Sequence, residues 1–122
     1  MTETWHVSRL EVDIRYVEDI PVIEARGECD LITSRRLKES ADSLLESGHY
    51  RIIFDLRDMS YIDSSGFRVL FDIRNKAVEK GGEIALVSLT APVERVFQLL
   101  RLDELVLRVD AVEEAVRLLK SR

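Results

Sequence analysis

Between Leu10 and Tyr16 the chain alternates strictly. Leu10, Val12, Ile14 and Tyr16 are apolar, while Glu11, Asp13 and Arg15 are charged, the period-two pattern of a half-buried strand. Glu18-Asp19 supplies a turn into a second strand from Pro21 to Arg26, ended by Gly27. The two strands predict a hairpin, with Pro21 suited to a strand start or edge. From Leu31 the period becomes helical. Leu37, Ala41, Leu44 and Leu45 fall on one face, with Arg35, Arg36, Glu39 and Asp42 elsewhere, and Gly48 stands where a C-terminal cap belongs. Arg51 to Leu56 follows, and its unbroken β-prone run Ile52-Ile53-Phe54 predicts a strand covered on both faces.

Asp63 or Ser64 can cap the next helix, which the spacing carries to about Lys80. Phe67, Leu70, Phe71, Arg74, Ala77 and Val78 form its main stripe, Val69 and Ile73 a second strip, and Gly81-Gly82 stops it. Ile84 to Leu89 reads as a further buried strand. Thr90 is placed to cap a helix with Pro92 in its first turn and Val93, Val96, Phe97 and Leu100 inward. Leu105, Leu107 and Val109 make a short strand, and Asp110 with Glu113 resembles a capping box for a last helix carrying Val112, Ala115, Val116 and Leu119. Strand–helix–strand crossovers demand parallel pairing. The pattern therefore predicts a single α/β domain over residues 1–122, a mixed sheet of about five strands packed with about four helices. Residues 1–8 are expected to fray.

Composition narrows the function. Of 122 residues, 46% are apolar and 34% charged, a globular balance rather than a disordered one. No window of about 18 apolar residues predicts a membrane span. Met1 to His6 lacks the basic-then-apolar pattern of a secretory signal, so a cytoplasmic location is expected. A net charge of −5 argues against nucleic acid or an anionic membrane as partner. One cysteine excludes an intramolecular disulfide, and two histidines leave a metal site poorly supplied. Neither a Gly-Lys-Ser/Thr phosphate loop nor a Gly-x-Gly-x-x-Gly motif is present. Around Ser64 and Ser65 stand Ile62-Asp63 and Gly66-Phe67, which does not make a nucleophile elbow. His6 and His49 read as solvent-facing turn residues, and Cys29 as a small semi-buried one. Neither a catalytic centre nor a cofactor is expected. A phospho-aspartate receiver is the enzymatic-looking alternative, because Asp55 closes a buried strand. That chemistry needs further carboxylates for magnesium after the first strand and a lysine after the last one. Tyr16-Val17 and Asp110-Ala111 stand there instead, so Asp55 is expected to bond the backbone of the Arg57-Asp58 turn.

The informative stretch runs from Asp58 to Phe67, read as a short polar loop that brings two serines to the start of an amphipathic helix. Helix N-termini offer unpaired N–H groups and about half a positive charge, so a phosphate on a serine there would be accepted without unfolding the helix. Gly66 would leave room for a partner's surface. Local sequence alone favours Asp63, Ser64 and Ser65 acting as plain caps. Asp63-Ser64-Ser65-Gly66, preceded by Met59-Ser60-Tyr61-Ile62 and a strand ending Phe54-Asp55-Leu56, closely resembles the phosphorylation loop of STAS domains, above all those of bacterial anti-sigma factor antagonists. Ala25-Arg26-Gly27-Glu28-Cys29-Asp30 resembles that family's turn before its first helix. Gly81-Gly82-Glu83 and Pro92 to Phe97 resemble later segments.

The resemblance implies a protein switch without catalytic activity. The unphosphorylated form would sequester a serine kinase that doubles as an anti-sigma factor. Phosphorylation would release the kinase, and a metal-dependent phosphatase would reset the switch. The acceptor position maps onto Ser64, with Ser65 as second choice. Asp30, Asp63, Ser64, Ser65, Gly66 and Phe67 would form the partner-binding surface, Phe67 as an apolar contact unless its stripe takes it into the core. Three positions depart from the family pattern: Cys29, Phe67, and Arg68 where a small residue is usual. Arg68 would be placed to pair with a Ser64 phosphate, or to crowd a kinase away. The second possibility corresponds to a non-switching STAS scaffold or a transporter-associated subunit.

Overall fold

The structure, a computed structural model, describes residues 7–102 and 104–122. These form β1 (Leu10–Val17), β2 (Ile20–Cys29), α1 (Ser34–Glu46), β3 (Arg51–Asp55), β4 (Met59–Ile62), α2 (Ser64–Glu79), β5 (Glu83–Val87), α3 (Ala91–Leu99), β6 (Leu107–Val109) and α4 (Val112–Lys120). The sheet order is β1-β2-β3-β5-β6, with β4 attached to β2. β1 and β2 are antiparallel and every other pairing is parallel, so the expected mixed α/β domain is the one observed. His6 and the rest of residues 1–6 lie outside the described residues.

Helices cover both faces, and the strand sequences show why. In β3, Ile52 and Phe54 join the core beneath α1 and α2. Ile53, on the opposite face, packs with Val22, Ala85 and Val87 against Val112, Ala115, Val116 and Leu119 of α4. A strand buried on both sides has no polar alternation to show, and each fully buried aliphatic side chain contributes about 1.5–3 kcal/mol. In α2 the buried set is Gly66, Phe67, Val69, Leu70, Ile73 and Ala77. Its two strips merge into one broad face, leaving Val78 44% exposed.

β2 does not stop at Gly27. It continues to Cys29, and its pairing with β4 shifts register between Gly27 and Glu28. Gly27 has φ of +114°, and a Cβ there would lie 2.2 Å from the Arg9 carbonyl oxygen. Its N–H donates to the Asp58 carbonyl at 2.9 Å while the Glu28 N–H donates to Arg9 at 2.7 Å. This bulge lets β2 pair with β3 along Val22–Glu24 and with β4 further on. β4 itself replaces the polar loop expected there. Its inward residues are Met59 and Ile62, with Ser60 and Tyr61 exposed between them. The bulge spoils the two-residue alternation, so the strand leaves no period in the sequence.

Other expectations are corrected by where the polar groups go. Thr90 is the N-cap residue of α3, its carbonyl accepting from the Glu94 N–H at 2.8 Å, but its side chain makes no cap bond; the hydroxyl donates instead to the Met59 carbonyl at 2.7 Å, tying α3 to β4. The Asp110–Glu113 capping box does not form, since the N-cap is Ala111 and lacks a side-chain bond. The Asp110 carbonyl instead accepts from the Ser88 hydroxyl at 2.7 Å. Leu100 and Leu105 are exposed at 50% and 51%, outside α3 and β6. His49 is half-buried rather than solvent-facing, its ring 5.6 Å from that of Tyr16.

The bulge predicts that Gly27→Ala will cost roughly 2 kcal/mol or more, from positive-φ strain and collision with Arg9. Urea unfolding followed by circular dichroism measures it; an unchanged midpoint would contradict the geometry.

Candidate functional site

The site sits where β2 and β4 end together. Cys29 pairs with Ile62, and the Asp63 N–H donates to the Cys29 carbonyl at 3.1 Å. Asp30 and Asp63 are therefore the next residues out of two adjacent parallel strands. Asp63 is extended, with φ −113° and ψ −173°, and caps α2. Its Oδ1 accepts from the N–H groups of Ser65 at 2.9 Å and Gly66 at 3.3 Å, and its carbonyl accepts from Phe67 at 3.1 Å. The amides expected to receive a phosphate are thus already taken by this carboxylate. Ser64, the first helical residue, is exposed, and its hydroxyl has no hydrogen-bond partner among the described residues. Ser65 is half-buried.

Asp30 builds the turn into α1. Its Oδ1 accepts from the N–H groups of Ile32 at 3.0 Å and Thr33 at 2.9 Å. Thr33 closes the turn, its hydroxyl donating to the Glu28 carbonyl at 2.7 Å and accepting from the Asp30 N–H at 2.9 Å. The Ser8 hydroxyl, helped by the Thr33 and Ile32 bonds, holds the Asp30 carboxyl down at about 2. Cys29 is wholly buried, and burial, followed by the charges of Asp63 and Asp30, pushes its thiol up to about 12. A thiol so placed stays protonated and is no nucleophile.

Two residues expected to meet a partner face inward instead. A Cβ on Gly66 would lie 2.6 Å from Ile62 Cγ1 and 2.8 Å from Cys29 Sγ, so this glycine serves close packing of α2 on β2 and β4. Phe67 is 3% exposed and meets Phe97 edge-on, with ring centroids 4.5 Å apart; its departure from the family pattern is a matter of core packing. What surrounds Ser64 on the outside is different. Leu31 and Ile32 project from the Asp30 turn at 70% and 77% exposure. A groove between the first turns of α1 and α2 is lined by Leu31, Arg35 and Lys38 on one side and Ser64, Ser65 and Arg68 on the other. Sequence reading left Leu31, Ile32, Arg35 and Lys38 out of the site. The signal was an apolar pair standing off the α1 stripe, just before the helix. Asp55 bonds the Arg57 N–H at 3.2 Å and Nε at 3.3 Å, the turn-sealing role expected of it. Among the described residues, no cluster of three His, Cys, Asp or Glu could hold a metal ion, and no helix is long and apolar enough to cross a membrane.

The Asp30 turn carries a pH dependence. A carboxyl held at about 2, against an unfolded value near 4, stabilises the fold above about pH 4, and that stabilisation is lost as pH falls toward 2. Asp30→Asn should flatten the pH–stability profile across that window, read from thermal midpoints at each pH; identical profiles would contradict the assignment.

The sequence pattern of the STAS domain matches residues 11–115. A Thermotoga neapolitana protein described as a candidate anti-sigma factor antagonist is 30% identical over 109 residues, spanning 88% of this chain and 96% of that relative. A crystal structure from Thermotoga maritima with the same description is 28% identical, with a TM-score of 0.81 over 89% of this chain and 94% of that one. The Bacillus cell fate determinant SpoIIAA, solved in its phosphorylated form, shares the fold at 21% identity and a TM-score of 0.66, over 95% of this chain and 100% of that one. With the sheet order, the β2–β4 junction and the Asp63-Ser64-Ser65-Gly66 turn in place, the chain belongs to the STAS domain family, beside relatives described as anti-sigma factor antagonists.

Proposed function

We propose that this chain is a cytoplasmic anti-sigma factor antagonist, a binding switch controlled by phosphorylation of Ser64. The observation that carries the reading is Ser64 itself, an exposed, unbonded hydroxyl on a helix whose next amides Asp63 has closed. The hydroxyl is free to react because the cap does not need it. A fold neighbour solved in a phosphorylated form supports the reading.

In the unmodified state, an ATP-binding serine kinase that acts as anti-sigma factor docks over Ser64, with Leu31 and Ile32 as apolar contacts and Asp30 and Asp63 at the rim. Transfer of the γ-phosphoryl group from ATP to Ser64 Oγ, with loss of the hydroxyl proton and departure of ADP, adds about −1.5 to −2 charges. The phosphate stands beside Asp63 on a chain of net charge −5. Burying it in a surface fitted to a neutral hydroxyl costs on the order of several kcal/mol, and each 1.4 kcal/mol is about a tenfold loss of affinity. The core and sheet need not move, since the change of charge and bulk is local. Hydrolysis by a metal-dependent phosphatase restores the binding form. The chain catalyses nothing in this cycle.

Incubation with ATP and an ATP-binding anti-sigma serine kinase should add one phosphate to the intact mass of the wild-type chain. None should be added to Ser64→Ala. Equal phosphate uptake by both would remove Ser64 from the reading and turn attention to Ser65; no uptake and no complex with such a kinase would reject the role.

A further inference from the structure

A phosphate on Ser64 needs somewhere to go, and the cap does not offer it. Asp63 occupies the Ser65 and Gly66 amides and presents a carboxylate. The groove on the other side offers the opposite charge. Arg68 follows Ser64 by four residues in α2, one turn further along the same helix face. Arg35 of α1 lines the same groove. Neither guanidinium has a hydrogen-bonded or ionic partner among the described residues, and both are exposed. Lys38 is held by Asp42 at 2.5 Å, and Asp72, which also lines the groove, makes no ion pair among the described residues. On an acidic chain, two arginines without a partner among the described residues line the groove that Ser64 also lines.

We infer that this groove receives the Ser64 phosphate within the molecule, Arg68 and Arg35 gripping its oxygens and so bridging α2 to α1. Planar guanidinium forks suit phosphate oxygens, giving short charge-assisted hydrogen bonds with fixed geometry. The inference deepens the phosphorylation reading and rests on it. Its consequence is that the released state is held by attraction inside this chain as well as by repulsion at the interface. Arg68, one helical turn beyond Ser64 in α2, is the part that makes this possible.

The test places phosphoserine at position 64 by genetic code expansion, so no kinase is involved, and follows the phosphorus NMR shift against pH. The phosphate's second ionisation should fall about one unit below the value near 6 of unpaired phosphoserine. Arg68→Ala and Arg35→Ala should each move it back toward that value, and Arg68→Lys should retain part of the shift. An ionisation at or above the unpaired value, or a lowered one that neither alanine variant alters, would overturn the inference. Circular dichroism and unfolding midpoints of the unmodified variants show whether each keeps the fold, with Arg68→Gln or Arg35→Gln replacing the alanine variant at the same position if it does not. A kinase that ignores Ser64 would sink the proposed function and leave this result standing. A normal titration beside efficient phosphorylation would do the reverse.

Discussion

The short parallel ladder that joins Gly27–Cys29 to Met59–Ile62 is the constraint on which the site depends. It brings the ends of β2 and β4 to one level, so that Asp30 and Asp63 emerge together and the first turns of α1 and α2 begin side by side. The bulge at Gly27 makes the ladder possible by letting one strand pair with two successive neighbours. Gly66 locks it from above, because α2 approaches closely enough that Ile62 and Cys29 leave no room for a Cβ. Displacing this junction would separate Ser64 from the Asp30 turn.

The two carboxylates at the junction do structural work in their own turns. Each gives one oxygen, Oδ1, to a pair of backbone N–H groups, Asp30 at Ile32 and Thr33 and Asp63 at Ser65 and Gly66. Rigid turns on either side hold Ser64, Leu31 and Ile32 outward at little further entropic cost to a partner. A switch of this design works through charge at a fixed address. The rigid frame is also what allows one modification to act: a mobile loop could carry a phosphate out of an interface, whereas the first residue of a capped helix keeps it there.

Much of the fold was legible because its signals are local. Alternation in β1, the apolar run in β3, the stripes of α1 and α4 and the apolar stretch of β5 each follow from burial on one or two faces. The missed strand, β4, shows where such reading stops. Its four residues have two exposed positions in succession, set by a bulge in a different strand, and no local period can encode that. The caps failed for a related reason. Thr90 and Asp110 have the right residue types at the right spacing, yet the Thr90 hydroxyl serves a long-range bond to Met59, and α4 takes Ala111, not Asp110, as its N-cap. Of the residues that the motif names, the structure brings Ser64 and both aspartates together, while inwardness decided Gly66 and Phe67. Only the packing of α2 on the sheet could assign those two. The groove residues Arg35 and Lys38 come from a different helix, and no spacing along the chain relates them to Ser64.

Calorimetric titration of the cognate anti-sigma kinase with unmodified and Ser64-phosphorylated chain tests the central claim most directly. The account predicts that the phosphate weakens binding at least about tenfold, a difference of 1.4 kcal/mol or more, with the circular dichroism spectrum unchanged. Equal affinities for the two forms would contradict it.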